Sequence, residues 1–197
     1  IPFLDKLTDE AQFSQSVNTI LSEDDKTIGH NTDIVGFELA LKYSNFNVKN
    51  KNILVLGAGG VVSSVILALN KMHANSIFIS NRTKEKTLWL KKKFSKTEIV
   101  EWGEIPKNID IFVNATSLGL NKNDSLPINF NKIGKNKIFY DLIYNPKETN
   151  FLKEAKKHKN KISNGKMMFV FQAQQSFFTW HNILPNIDEE LLKFLYD

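Results

Sequence analysis

Residues 53–56, Ile-Leu-Val-Leu, form an unbroken apolar run of strand length that ends directly on Gly57-Ala58-Gly59-Gly60. A run that is apolar at every position has no solvent face, so it reads as a strand covered on both sides within a parallel sheet. The glycines permit a tight turn, and residues 61–72 then follow a helical apolar pattern. A buried strand that turns straight into a helix is the context a dinucleotide site requires.

The rest of the chain repeats this alternation. A second strand is predicted at 76–80, a Lys-rich helix at 84–94, and further strands near 98–101, 109–114 and 137–142. Residues 147–158 read as a helix, and 166–179 and 189–196 as closing helices. Before the first strand, residues 8–15 read as a helix capped by Thr8, 16–21 as a short strand and 23–26 as a turn. Residues 28–33 lead into a helix at 34–43. The order β-α-β-α-β-β with Gly-rich junctions predicts an α/β fold with an open, doubly wound sheet.

Gly57 is placed for the tight turn and Gly59 for close approach of a pyrophosphate, with Ala58 and Gly60 completing the loop. The helix that follows offers free N–H groups and a partial positive charge. The spacing is not a full G-x-G-x-x-G, because Val62 holds the sixth position. At the end of the second strand stand Asn81-Arg82-Thr83, where an NAD site usually carries an acid for the ribose 2′-hydroxyl. Arg82 would pair with a 2′-phosphate, with Asn81 and Thr83 as neutral donors, so the expected cofactor is NADP.

The chain has no cysteine, which excludes a disulfide framework and thiolate catalysis and fits a cytoplasmic enzyme. The net charge of +5 comes largely from lysines such as Lys91–Lys93, and is expected to be a solvated surface rather than a nucleic-acid footprint. No apolar stretch approaches the ~20 residues of a membrane span, and no signal peptide is visible. Nothing in the sequence calls for a metal.

Five further segments, in order, resemble the shikimate dehydrogenase family. They are Val17-Asn18-Thr19; Gly29-His30-Asn31-Thr32-Asp33 with Gly36-Phe37; and Asn114-Ala115-Thr116-Ser117 with Gly119. Asp141-Leu142-Ile143-Tyr144-Asn145-Pro146 with Thr149 follows, then Asn164-Gly165 through Met168, Gln172-Ala173, Ser176-Phe177 and Trp180. The glycine turn and Asn-Arg-Thr recur in related folds, but the second and fifth segments do not. The resemblance implies NADPH-dependent reduction of 3-dehydroshikimate to shikimate, in aromatic amino-acid biosynthesis. It implies a Rossmann NADP-binding domain at residues 34–166. Residues 1–33 would then be the remnant of an α/β substrate-binding domain, to which residues 167–197 return.

By the same resemblance, Asn18, Asp33 and Gln172 contact substrate, and Tyr144 directs its hydroxyl toward the substrate carboxylate. Thr116, Ser117, Gly165 and Met168 hold the nicotinamide end. Asn31 also has the donor and acceptor capacity that recognition of ring hydroxyls demands. Asp33 is the acid of the family's catalytic Lys–Asp pair, in which the carboxylate holds the ammonium in place. Asp33 is further expected to cap the helix that follows it. The family's Lys lies before the stretch matched by Ile1, and Lys6 falls in the wrong part of the pattern, so the chain reads as part of a longer protein. Gln15-Ser16, Ser63-Ser64 and His181-Asn182 also depart from the family, and Ser63-Ser64 replace a basic residue that would help hold NADP. An NAD-using quinate/shikimate dehydrogenase and a non-catalytic NADP-binding module are the alternatives. The expected partner is a small molecule, on a monomer or homodimer.

Overall fold

The computed structural model describes residues 1–195. A short strand β1 (Lys6–Leu7) precedes helix α1 (Asp9–Ser14), strands β2 (Thr19–Glu23) and β3 (Lys26–His30), and helix α2 (Asp33–Tyr43). The alternating unit then runs β4 (Asn52–Leu56), α3 (Val62–Lys71), β5 (Ser76–Ser80), α4 (Lys84–Lys93), β6 (Thr97–Val100) and β7 (Ile111–Asn114). It closes with β8 (Ile138–Asp141), α5 (Asn150–Lys157), β9 (Lys161–Ser163), α6 (Lys166–His181) and α7 (Glu189–Phe194).

Strands β4–β9 form one sheet in the order β6-β5-β4-β7-β8-β9, with every neighbouring pair parallel. The chain therefore winds outward from β4 in one direction, returns, and continues from β7 in the other. This is the doubly wound arrangement, and it leaves a crevice at the carboxyl ends of β4 and β7, where the winding reverses. The apolar run of β4 is buried at every position because the sheet has a core on each face. Ile53 and Val55 join Ile77, Ile79, Ile111 and Val113 under α2, α3 and α6. Leu54 and Leu56 join Phe112, Phe139, Phe151 and Leu152 on the other face. Period-two alternation thus sorts one hydrophobic strand between two cores.

The second sheet is smaller, with order β1-β3-β2. β2 and β3 form a hairpin whose two turn residues, Asp24 and Asp25, have φ of 49° and 58°. Positive φ at both centres matches the right-handed twist of a two-residue hairpin, and Asp tolerates it. Helices α2 and α6 pack against each other beside this sheet.

Several expectations need correction. The strand expected at 16–21 is Thr19–Glu23, and its hairpin partner Lys26–His30 takes in residues 28–30, read as the approach to a helix, and the end of the turn expected at 23–26. β3 is the middle strand of its sheet, yet only Gly29 in it is fully buried, so the small sheet imposes no apolar period on these residues. β1 and β9 went unread because two or three residues carry no measurable period. The last helix ends at Phe194; Tyr196, expected within it, lies outside the described residues. Thr8 does cap α1, accepting from the Ala11 amide at 3.4 Å. No helix among the described residues is long and apolar enough to cross a membrane.

Candidate functional site

Two clefts of about 310 Å³ each open near the carboxyl ends of the six-stranded sheet. The first is built on the turn between β4 and α3. Gly57 has φ of +115°, and a Cβ there would lie 2.7 Å from the Ala115 carbonyl oxygen, so the turn closes against the β7 loop only without a side chain. Gly59 and Gly60 face open space, where added Cβ atoms would meet nothing within 4 Å. The Val62 amide donates back to the Gly59 carbonyl at 3.1 Å, and Val61 provides no side-chain cap for the helix amides that follow it.

Of the residues expected at the cofactor, Gly57, Ala58, Gly59, Asn81, Arg82, Thr83, Thr116 and Ser117 line this first cleft, whereas Gly60 is not in its lining and Gly165 and Met168 line the second. Arg82 is exposed and makes no ion pair among the described residues. The cleft also contains Lys86 and Trp102, which sequence reasoning missed. Lys86 lies in the first turn of α4, just after the extended Thr83 cap, and joins Arg82 in the cleft lining. Trp102 had no signal in the sequence, since only the return of the chain after β6 brings it there.

The Thr116 hydroxyl is already committed. It donates to Asn114 Oδ1 at 2.7 Å and accepts from the Leu118 amide at 3.0 Å. Its part in the cleft wall is therefore one of loop shape. Ser63 and Ser64 are buried, and Ser64 Oγ accepts from Asn31 at 3.0 Å. Neither serine is in the lining of the first cleft, where a basic residue was expected.

The second cleft gathers Asn18, Asp33, Tyr144, Gly165, Met168 and Gln172 from four separate segments of the chain. Asn18 is their hub. Its amide donates to Asp33 Oδ1 at 2.8 Å, to Thr32 Oγ1 at 2.9 Å and, more weakly, to Gln172 Oε1 at 3.5 Å. Its carbonyl oxygen accepts from the Thr32 amide at 2.9 Å, which fixes which way the amide faces. Gln172 donates to the Phe169 carbonyl one turn back along α6. The Tyr144 ring stacks on Phe169 with centroids 5.1 Å apart and remains half exposed. Met168, Leu142 and Val61 supply apolar walls.

Burial pushes the Asp33 carboxyl above the usual range, and the Asn18 hydrogen bond partly offsets this. Asp33 is the first residue of α2, but its side chain makes no capping hydrogen bond, against expectation. Asn31 takes that part instead, accepting from the Ile34 amide at 3.3 Å. Asn31 is correspondingly unavailable to a ligand. It is buried, and its amide donates to Ser14 Oγ, the Ser16 carbonyl and Ser64 Oγ. An Asn two positions before a helical Asp takes the cap and leaves the carboxylate facing the cleft.

The glycine turn follows β4 and the second cleft begins at Val61, so only a few residues separate the two. The first offers cations and free helix amides for phosphates; the second offers one carboxylate, two amides and a phenol for a small polar ring.

Residues 38–142 match the family model described as shikimate/quinate 5-dehydrogenase. The chain is 56% identical over 195 residues to a shikimate dehydrogenase (NADP(+)) of Pelagibacter ubique, covering 99% of this chain and 73% of that protein. The fold is similar to the crystal structure of shikimate dehydrogenase from Aquifex aeolicus, with a TM-score of 0.87 at 40% identity over 94% of this chain and 69% of that one. It is similar as well to shikimate 5-dehydrogenase of Thermus thermophilus in complex with NADP(H) and shikimate, with a TM-score of 0.85 at 33% identity over 94% and 69% of the two chains. On these matches, and with five motifs in one order on one doubly wound sheet, the chain belongs to the shikimate/quinate 5-dehydrogenase family.

Proposed function

We propose that this protein reduces 3-dehydroshikimate to shikimate with NADPH. The observation that carries the reading is the convergence of Asn18, Asp33, Tyr144 and Gln172 in one cleft beside the glycine turn. The family supplies the reaction class, and relatives named for NADP(+) support the cofactor.

The first cleft suits NADP. Gly59 and Gly60 leave room for a pyrophosphate, and the uncapped start of α3 supplies donors. Arg82 and Lys86 would hold the 2′-phosphate, where an acid would repel it. Thr116 and Ser117 would bound the path toward the nicotinamide, with Gly165 and Met168 beyond it. The bound cofactor supplies the hydride.

Asn18 and Gln172 would pair with ring hydroxyls, and Tyr144 with the substrate carboxylate. The cleft keeps Asp33 oriented through Asn18, so that its carboxylate can hold a proton-donating ammonium against the developing alkoxide. Residues 34–166 would form the NADP-binding domain. Residues 1–33 and 167–197 would contribute the substrate side, with α6 packed on α2 carrying Gln172 to it.

The test is NADP+ reduction by shikimate with the full chain, followed by NADPH absorbance, with NAD+ in parallel. NADP+ is expected to be reduced, and Arg82→Ala to raise its Kd by about 10- to 100-fold, the value of a lost charge-assisted hydrogen bond of about 1.5–3 kcal/mol. Affinity for NAD+ should not change. No turnover of shikimate with either cofactor would overturn the reading.

A further inference from the structure

Two neighbouring strands of the large sheet end on a matched polar pair. β7 finishes at Asn114 and β8 at Asp141, and the two are in register. Both are fully buried. Beyond Asn114 the chain forms the wall of the first cleft; beyond Asp141 it forms the segment that carries Leu142 and Tyr144 to the second.

Each side chain holds its own loop. Asn114 Oδ1 accepts from the Thr116 amide at 3.0 Å and from the Thr116 hydroxyl at 2.7 Å, and Asn114 Nδ2 donates to the Leu118 carbonyl at 3.1 Å. Asp141 Oδ1 accepts from the Ile143 amide at 3.0 Å, and Asp141 Oδ2 accepts from Thr149 Oγ1 at 2.6 Å. Thr149 is the N-cap of α5. The two halves meet in one bond, from Asn114 Nδ2 to Asp141 Oδ1 at 2.9 Å. The loops also touch: a Cβ on Gly119 would lie 3.1–3.2 Å from Thr149 and Ile143 side-chain carbons.

Asp141 is a buried acid bound only by neutral donors, and none of the ion pairs among the described residues includes it. An acid so placed is costly, and packing alone would be served by an apolar residue. What the carboxylate provides is acceptor capacity in two directions at once. We propose that Asp141 is a positioning residue, which through Asn114 and Thr149 fixes the cofactor-side loop relative to the loop bearing Tyr144. Hydride donor and substrate are thereby held at one separation, where a small misplacement costs rate steeply. The inference rests on the dehydrogenase reading above.

The test compares wild type, Asp141→Ala, Asp141→Asn and Thr149→Val in the full chain. Readouts are kcat and KM for shikimate, NADP+ Kd from binding titration, and the thermal midpoint. Asp141→Ala and Thr149→Val should lower kcat by about 10- to 100-fold while NADP+ Kd and shikimate KM move less than about threefold, since each cleft stays intact but their relation loosens. Asp141→Asn should restore kcat to within about threefold of wild type. Its oxygen can keep the Asn114 and Ile143 bonds, and its amide can donate to Thr149 Oγ1. A lowered midpoint with kcat unchanged in Thr149→Val would overturn the inference, and so would failure of Asp141→Asn to recover kcat in a folded protein. If Asp141→Ala does not fold, these two variants still decide it. An inactive wild type would instead overturn the reading on which the inference rests.

Discussion

At the residue scale, neighbours decide what a side chain can do. Asn18, Asn31 and Asn114 are chemically identical, yet the first faces a cleft while the other two are consumed by internal bonds. Asp33 and Asp141 differ in the same way. Burial raises both, and for Asp141 the carboxyl is pushed up to about 6 from an ordinary 3.8. The sign follows from proton binding: the folded protein holds this proton more tightly than the unfolded chain, so ionised Asp141 penalises the fold. That penalty is absent below 3.8, grows between 3.8 and about 6, and is complete above it. Asn at this position carries no such penalty. Denaturant melts should therefore show Asp141→Asn gaining on wild type as pH rises from about 4 to about 7, by up to about 3 kcal/mol. A pH-independent difference between the two proteins would show that Asp141 titrates normally.

At the element scale, the crossing of α2 and α6 sets the second cleft. Gly36 lies at that crossing: a Cβ there would come within 2.9 Å of Gln172 Cβ and 3.0 Å of the Met168 carbonyl oxygen. α6 presents Met168 and Gln172 to the cleft from one face, and the missing side chain lets it approach α2. Gly36→Ala should force the helices apart. Overpacking of this kind costs about 1–3 kcal/mol, read as a lower thermal midpoint. Shikimate KM should rise with it while NADP+ affinity holds, because only the second cleft has moved. Unchanged KM would mean that the crossing does not set the position of Gln172. The loop glycines have a different purpose. Gly57 is needed for backbone conformation and approach to Ala115, and Gly59 for open space.

At the scale of the molecule, two sheets of unequal burial share one chain. Strands β4 and β7 are covered on both faces, whereas β1 and β2 are edges of a three-stranded sheet with many exposed positions. Ile20 on β2 and Trp180 on α6 are more than half exposed, although the indole donates to the Ile20 carbonyl at 2.9 Å. Local opening follows burial and hydrogen bonding. Amide exchange should be slowest in β4 and β7 and faster in β1 and β2 by on the order of 100-fold, or about 3 kcal/mol in opening free energy. Equal protection in the two sheets would show that they unfold as one unit. The site draws on both, with cofactor residues on the rigid sheet and Asn18 next to the looser one.

The sequence by itself determined what is local. The run at 53–56 and its glycines specified a parallel strand, a turn and a helix, because burial on two faces and positive φ leave few alternatives. Asn81-Arg82-Thr83 carried the expectation of NADP over NAD, and the five motifs carried the family. Only the tertiary structure decided how distant residues divide the work. It joined Asn18 to Gln172 across 154 positions, consumed Asn31 in a buried network and brought Trp102 to the first cleft. It also gave the α2 cap to Asn31, freeing Asp33 for the cleft. The physical reason is that hydrogen-bond partners and desolvation depend on spatial neighbours, which no local period or propensity encodes.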